Sequence, residues 1–378
     1  MSQQTPQKER FPLPAEPPGG FFYQAHLDFP LFAALVALAC IGFVTLYSAG
    51  GQQIDLVFKQ ATRLGIAYSI MIVLAQIPPR HLQRYALILF GLGVSLLLAV
   101  LLTGQIVKGG QRWLDLGVFR FQPSEMIKIT TPITIAWYLA ENPMPPRIKQ
   151  IGISLLMILV PTLLIAKQPD LGTALLVAAS GSAVLFVAGI KWRFLGKVSL
   201  LFGGLAPVLW HFLHDYQRAR VLTFLNPEAD PLGKGYHIIQ SKIAIGSGGI
   251  YGKGWLNGTQ NYLEFLPERS TDFIFAVFAE EFGLLGCLTL LFVYLLIICR
   301  CLYIALQAQD SFSRLLAGSL SITFFVYVFV NIGMVIGILP VVGVPLPLIS
   351  YGGTSMVTLL AGFGILMSIH THRRLLPV

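Results

Sequence analysis

The stretch LPERSTDFIFAVFAEEFG, Leu266 to Gly283, carries Glu268, Arg269, Asp272, Glu280 and Glu281 and runs on into sequence apolar enough for a lipid bilayer. A carboxylate at such a boundary has two uses. With Thr271 or Ser270 as N-cap, Asp272 falls in a first helical turn, where negative charge complements the helix dipole. At an outer membrane surface it could instead be a general base, ionised at neutral pH and able to take a hydroxyl proton. Spacing leaves both open. Glu280 and Glu281 lie ~12–13 Å further along the same helix. An uncompensated carboxylate there costs ~3 kcal/mol, so each requires a partner, a proton or water. A structural pair with a neighbouring helix is the plainest expectation.

A second constellation is GQRWLDLGVFRFQPSEMIKI, Gly110 to Ile129. Pro123 suits a helix start, and Glu125 and Lys128 stand at i and i+3, close enough to pair. Such a pair in an apolar helix is expensive unless the site is polar or wet. Trp113 and Trp255 read as interfacial anchors. Lys108, Arg112 and Arg120 are basic on a side where few cations are expected, and an anion such as phosphate would explain them. In KQPDLGTAL, Lys167 to Leu175, Asp170 is either a helix cap or part of a site. The stretch from Asp215 to Gly254 adds Arg218, Arg220, Lys234, Lys242 and Lys253, with glycines that let backbone N–H groups approach an anion. Finally, GILPVVGVPLPLISYGGTS, Gly337 to Ser355, would break a helix at membrane depth. That is tolerated where backbone lines a cavity or is buried in protein.

The elements that must position these residues follow from hydropathy. The chain of 378 residues is 55% hydrophobic and 11% charged, with a mean hydropathy of +0.72, the composition of a polytopic membrane protein. Its net charge of +9 is scattered between apolar blocks, which argues against nucleic acid as a partner. Ten segments can span a bilayer, near 29–48, 58–77, 85–102, 122–140, 151–166, 171–190, 196–213, 272–297, 316–338 and 353–370. The short loops of one side hold thirteen Lys and Arg against four on the other, so both termini are expected in the cytoplasm. Residues 1–28 read as a disordered cytoplasmic tail, 29–374 as one all-α transmembrane domain, and 214–271 as a large outer loop with room for a small folded subdomain. Cys40, Cys287, Cys299 and Cys301 imply no disulfide framework. No dedicated metal-ligand spacing, Ser-His-Asp arrangement or nucleotide loop is present.

Together, LPERSTDFIFAVFAEEFG, RWLDLG with RFQPSEMIKI, QPDLGTAL, NPEADPLGKGYHIIQSKIAIGSGGIYGKG and LPLISYGGTSM resemble the SEDS (shape, elongation, division, sporulation) proteins, over nearly the whole chain from Asp28 to Arg374. The ERSTDFIF form, with Arg269, and PVVG at Pro340 to Gly343 resemble the rod-shape branch rather than the division branch. Ser270 departs from the histidine that many relatives carry there.

The resemblance implies a peptidoglycan glycosyltransferase of the cytoplasmic (inner) membrane that polymerises lipid II at the outer face, within the elongation machinery. It also implies a class B penicillin-binding protein as partner and Asp272 as the general base. Lys108, Arg112, Arg218, Arg220, Lys242 and Arg269 are then candidates for the pyrophosphate seat. Glu125, Lys128 and Asp170 are expected to shape the cavity, and Glu264 to orient substrate. A divalent cation, Mg or Mn, could share the pyrophosphate. The competing readings are a lipid II flippase, a division polymerase and a noncatalytic scaffold.

Overall fold

The structure, a computed structural model, describes residues 25–107, 110–115, 120–190, 234–259 and 268–372, together with 196, 200, 204, 211, 218 and 222–224. The first helices are α1 (Phe29–Ala49), α2 (Ile54–Ala75) and α3 (Pro79–Thr103). Three short strands follow, β1 (Gln105–Val107), β2 (Gly110–Asp115) and β3 (Arg120–Phe121). Then come α4 (Pro123–Ala140), α5 (Ile148–Lys167), α6 (Leu171–Val187), α7 (Lys234–Gly248), α8 (Ile274–Leu306), α9 (Ser311–Val335) and α10 (Thr354–Thr371). Seven of these, α1, α2, α3, α5, α8, α9 and α10, are long and apolar enough to cross a membrane. The helix expected near 196–213 lies outside the described residues, apart from isolated positions.

Local chemistry explains five of the helix starts. Asp28 starts α1 by accepting from the Leu31 N–H at 3.0 Å, and Asp310 caps α9 through the Ser313 N–H at 2.9 Å. Asp170 caps α6 through Thr173 at 3.2 Å. Proline stands in the first turn of α1, α3 and α4, where its missing N–H costs nothing.

The mostly helical fold carries one addition, a small antiparallel sheet of order β1-β2-β3 between α3 and α4. The stretch between α3 and α4 is too polar for lipid, and its strands pair their own backbone groups, with Gln105 opposite Trp113 and Leu114 opposite Phe121. Within the expected outer loop, α7 packs on α8 and α9. Gly235, Ile238, Ser241, Ala244 and Gly248 are buried, the spacing of one helical face. Ser241 Oγ donates to the Val335 carbonyl at 2.8 Å.

The glycines of this region serve backbone contact with α8. A Cβ on Gly248 would stand 2.2 Å from the Ala279 oxygen, and one on Gly252 2.1 Å from the Glu281 oxygen. At the kink of α8, Gly283 adopts φ 62° and ψ −161°. The helix ladder opens there, and the segment after α7 takes up its polar groups. Leu284 N–H donates to Gly249 O at 2.9 Å, Leu285 N–H to Ile250 O at 3.1 Å, and Lys253 N–H to Glu280 O at 3.0 Å. Unpaired groups at that depth would cost several kcal/mol each.

Candidate active site

The segment between α9 and α10, residues 336–353, threads non-helically through one end of the bundle and ties the motifs together. From α9, Asn331 Nδ2 donates to the carbonyls of Val344 at 2.7 Å and Asp272 at 3.0 Å. Ser350 Oγ donates to Thr271 O at 2.6 Å, and Tyr351 N–H to Ser270 O at 2.8 Å. Gln60 of α2 donates to Ser350 O at 3.1 Å, and Tyr294 OH to Pro347 O at 2.8 Å. On the far side, a Cβ on Gly172 would lie 2.7 Å from Val342 O. The starts of α6, α8 and α10 therefore meet around this strap, and the start of α4 joins them through Gln122, whose Nε2 donates to Asp170 Oδ2 at 3.3 Å. Four helix N-termini bring their positive poles to one region, which favours an anion.

Asp272 lies against the strap. Its Oδ2 is 3.4 Å from where a Cβ on Gly343 would stand, and Gly343 has φ +77°. The expected first-turn placement is corrected. Phe273 is the N-cap of α8, without a side-chain cap, and Asp272 precedes it in a turn. The helix starts late because the carbonyls of Ser270, Thr271 and Asp272 are bonded to Tyr351, Ser350 and Asn331. Thr271 is no cap either, since its hydroxyl donates back to Glu268 Oε2 at 2.8 Å. From α7, the His237 ring stacks on Phe273 at 5.6 Å. Burial holds His237 below the usual histidine value, so it adds no positive charge beside Asp272 at neutral pH.

Glu125 and Lys128 pair at 2.8 Å and are buried. Thr358 of α10 donates to the other Glu125 oxygen at 2.7 Å, and Lys128 Nζ lies 5.6 Å from the Tyr327 ring centre. The pair thus joins α4 to α9 and α10. Arg112 is differently employed than as a free cation: it donates to Pro169 O at 2.5 Å and Gln168 O at 3.4 Å, and lies 3.8 Å from Asp170. It clamps β2 onto the turn before α6. Lys242 lies along Gly337 at the root of the strap, and an Arg269 nitrogen is 3.5 Å from a Cβ position on Gly51 in the α1–α2 turn. Arg218 donates to His211 O at 2.5 Å. Lys108, Arg220 and Glu264 lie outside the described residues.

Glu280 is fully buried, and Lys253 at 2.6 Å and the Thr259 hydroxyl at 2.9 Å hold one of its oxygens. Glu281 accepts from Ser48 of α1. The expected structural pairing exists, but the cation comes from the segment after α7 rather than from a helix. Trp255 donates its indole N–H to Val44 O at 3.2 Å.

A cavity of about 900 Å³ opens between α2, α4, α10 and the sheet, lined in part by Arg63, Trp113, Gln122, Glu125 and Gly353. Asp272 is not among the residues that line it. Among the described residues no group of three or more His, Cys, Asp or Glu is placed to hold a metal ion. Sequence reasoning missed Gln60, Arg63, Asn331 and Ser350. The first three were detectable as polar groups inside apolar spans.

A family model described as cell cycle protein, covering FtsW, RodA and SpoVE, matches residues 26–375. The chain is 56% identical over 357 residues to peptidoglycan glycosyltransferase MrdB of Escherichia coli K12, spanning 94% of this chain and 96% of that one. It is 37% identical to the Helicobacter pylori MrdB over 92% of this chain and 91% of that protein. A solved peptidoglycan synthase complex that coordinates polymerization and crosslinking contains a similar chain, with TM-score 0.80 and 35% identity over 91% of this chain and 97% of that one. The Thermus thermophilus rod shape determining protein RodA matches with TM-score 0.69 and 31% identity over 91% of this chain and 96% of that one. On sequence and fold alike, the chain belongs to the SEDS family of FtsW, RodA and SpoVE.

Proposed function

We propose that this chain is a multi-pass membrane peptidoglycan glycosyltransferase that joins lipid II units into β-1,4 glycan strands during cell elongation. The observation that carries the reading is the Asp272 carboxylate against the strap, where the N-termini of α4, α6, α8 and α10 converge. Both termini are cytoplasmic and the strap faces outward, at the outer surface of the inner membrane.

The acceptor's GlcNAc 4-hydroxyl attacks C1 of the donor MurNAc, and Asp272 takes the hydroxyl proton. The new C1–O bond forms as the bond from C1 to the pyrophosphate oxygen breaks, with inversion from α to β. Undecaprenyl pyrophosphate leaves with the electron pair. It is a good leaving group, so no second carboxylic acid has to protonate it, unlike the sugar oxygen of a glycosidase. Negative charge grows on that pyrophosphate, and preorganised helix poles with Lys242 and Arg269 stabilise it. Arg112 holds Asp170 and the start of α6 in place. A class B penicillin-binding protein cross-links the product.

The test is polymerisation of purified lipid II by the full chain, with and without that partner, comparing wild type with Asp272→Asn at matched membrane insertion. Strands from wild type and none from the variant support the reading. Equal strands from both remove Asp272 as base, and lipid II transport across liposomes without strands makes the chain a flippase.

A further inference from the structure

The turn that carries Asp272 is held against its own local preference. Ser270 and Thr271 are both good N-cap types, and an acidic residue next to them suits a first helical turn. A helix that began there would use the carbonyls of Ser270, Thr271 and Asp272 as acceptors for the N–H groups of Ile274, Phe275 and Ala276. All three carbonyls are bonded elsewhere, to Tyr351, Ser350 and Asn331. Ala276 N–H donates instead to Phe273 O at 2.9 Å, and Phe273 N–H to Glu268 O at 3.4 Å. Glu268, at the head of the turn, has φ 55°, and Leu348 in the facing strap has φ 61°. Non-glycine residues stay in that left-handed region only where the surrounding structure imposes it.

Among the three holding groups, Asn331 links both sides of the contact. Its Nδ2 spends one N–H on Asp272 O at 3.0 Å and the other on Val344 O at 2.7 Å. Val344 follows Gly343, the residue that faces the Asp272 carboxylate. One side chain therefore fixes the aspartate relative to the strap. It stands on a well-anchored helix: one turn earlier Tyr327 is buried, and one turn later Val335 O accepts from Ser241 at 2.8 Å. Asn331 is itself fully buried, and among the described residues its Oδ1 has no hydrogen-bond partner. Burying an unsatisfied acceptor is unfavourable, so the position is filled for the two donors, which no other side chain of this size carries on one atom.

We propose that Asn331 is a positioning residue of the transfer reaction. It keeps residues 270–272 out of α8 and so holds the Asp272 carboxylate against the strap. Without its amide, α8 starts a turn earlier and carries Asp272 away from the acceptor hydroxyl. The proposal rests on the glycosyltransferase reading for the role of Asp272.

The experiment uses the full chain in nanodiscs, with apparent Tm as the control for folding. Lipid II polymerisation is resolved into kcat and KM, and amide hydrogen exchange is followed at Ile274 to Ala276. Asn331→Leu is expected to lower kcat ~100-fold, the effect of misplacing a reacting group by about 1 Å, with KM unchanged. Exchange at Ile274 to Ala276 should slow, because an earlier helix start supplies their N–H groups with acceptors. Asn331→Gln, which keeps both donors on a longer arm, should recover part of kcat. Asn331→Asp, which offers one donor at most, should not. Ser350→Ala removes the neighbouring bond to Thr271 O and should reproduce the loss in kcat, which keeps the test decisive if Asn331→Leu does not fold. Wild-type kcat in either folded variant overturns the proposal, as does a loss carried by KM. Unchanged amide exchange, or a folded Asn331→Gln no more active than Asn331→Leu, overturns it as well. Wild type that makes no strands sinks the glycosyltransferase reading, while amide exchange, which needs no turnover, still tests the turn.

Discussion

Replacing Lys128 by Met leaves Glu125 buried with only the Thr358 hydroxyl for company. Unit charges 2.8 Å apart attract by ~6 kcal/mol at an effective dielectric of ~20. Most of that gain is offset by removing both groups from water, so the intact pair contributes little relative to well-packed apolar residues. The asymmetry is what can be measured: losing one partner of a buried pair costs ~3–5 kcal/mol, while losing both is often near neutral. Lys128→Met should therefore lower apparent stability by several degrees. Adding Glu125→Leu should restore most of it, giving a coupling of ~2 kcal/mol or more in the double-mutant cycle. The assay is intrinsic-fluorescence melting in one detergent at one scan rate, because unfolding of such a protein is read as a rate-dependent midpoint. Lipid II polymerisation is measured on the same samples. Activity should stay low in the double variant even as stability returns, because the pair connects α4 to α10 at the cavity wall. Additive single effects, or a Lys128→Met protein that melts like wild type, would refute the reasoning.

At the α8 kink, Lys253→Met removes the cation held by the fully buried Glu280 and should cost ~3 kcal/mol. Accelerated limited proteolysis between residues 249 and 259 would register it. Gly252→Ala forces a side chain onto φ +78° and 2.1 Å from the Glu281 oxygen, and should yield aggregated protein by gel filtration in detergent. Gly172→Ala pushes on Val342 O, one residue from the Gly343 that faces Asp272; a fall in kcat with unchanged lipid II KM is expected. At the opposite end, burial and then the charge of His372, stacked at 4.1 Å, hold His26 below the ordinary value of 6.5. The unfolded chain then binds the proton more readily, so stability is lost as pH falls below about 6.5. His26→Gln should flatten the melting midpoint between pH 7 and pH 5.5.

The site is only partly readable from one dimension. Asp170 as a cap, Pro123 as a helix start and the Glu125–Lys128 pair follow from i to i+3 rules and appear as expected. Asp272 was identified by type, yet its placement ahead of α8 depends on hydrogen bonds to Ser350, Tyr351 and Asn331, residues 59 to 81 positions away in the chain. Arg112 shows the converse: its charge invites an anion, and the fold spends it on the carbonyls of Gln168 and Pro169. The contacts of Gln60 and Arg63 depend on which face of α2 meets the strap and α10, which no local rule gives.

The sequence by itself determined the membrane class, the positions of most helices and the family, because hydropathy runs, caps and motif order are local properties of the chain. Spacing left the use of Asp272 open, and the family resemblance of its motif singled it out. Only the tertiary structure decided that the glycines after α7 serve contact with α8, and that a broken segment 336–353 gathers four helix starts. It alone set Arg63 beside the start of α10. Those depend on contacts between segments far apart in the chain, where packing selects one arrangement from many that local propensity allows.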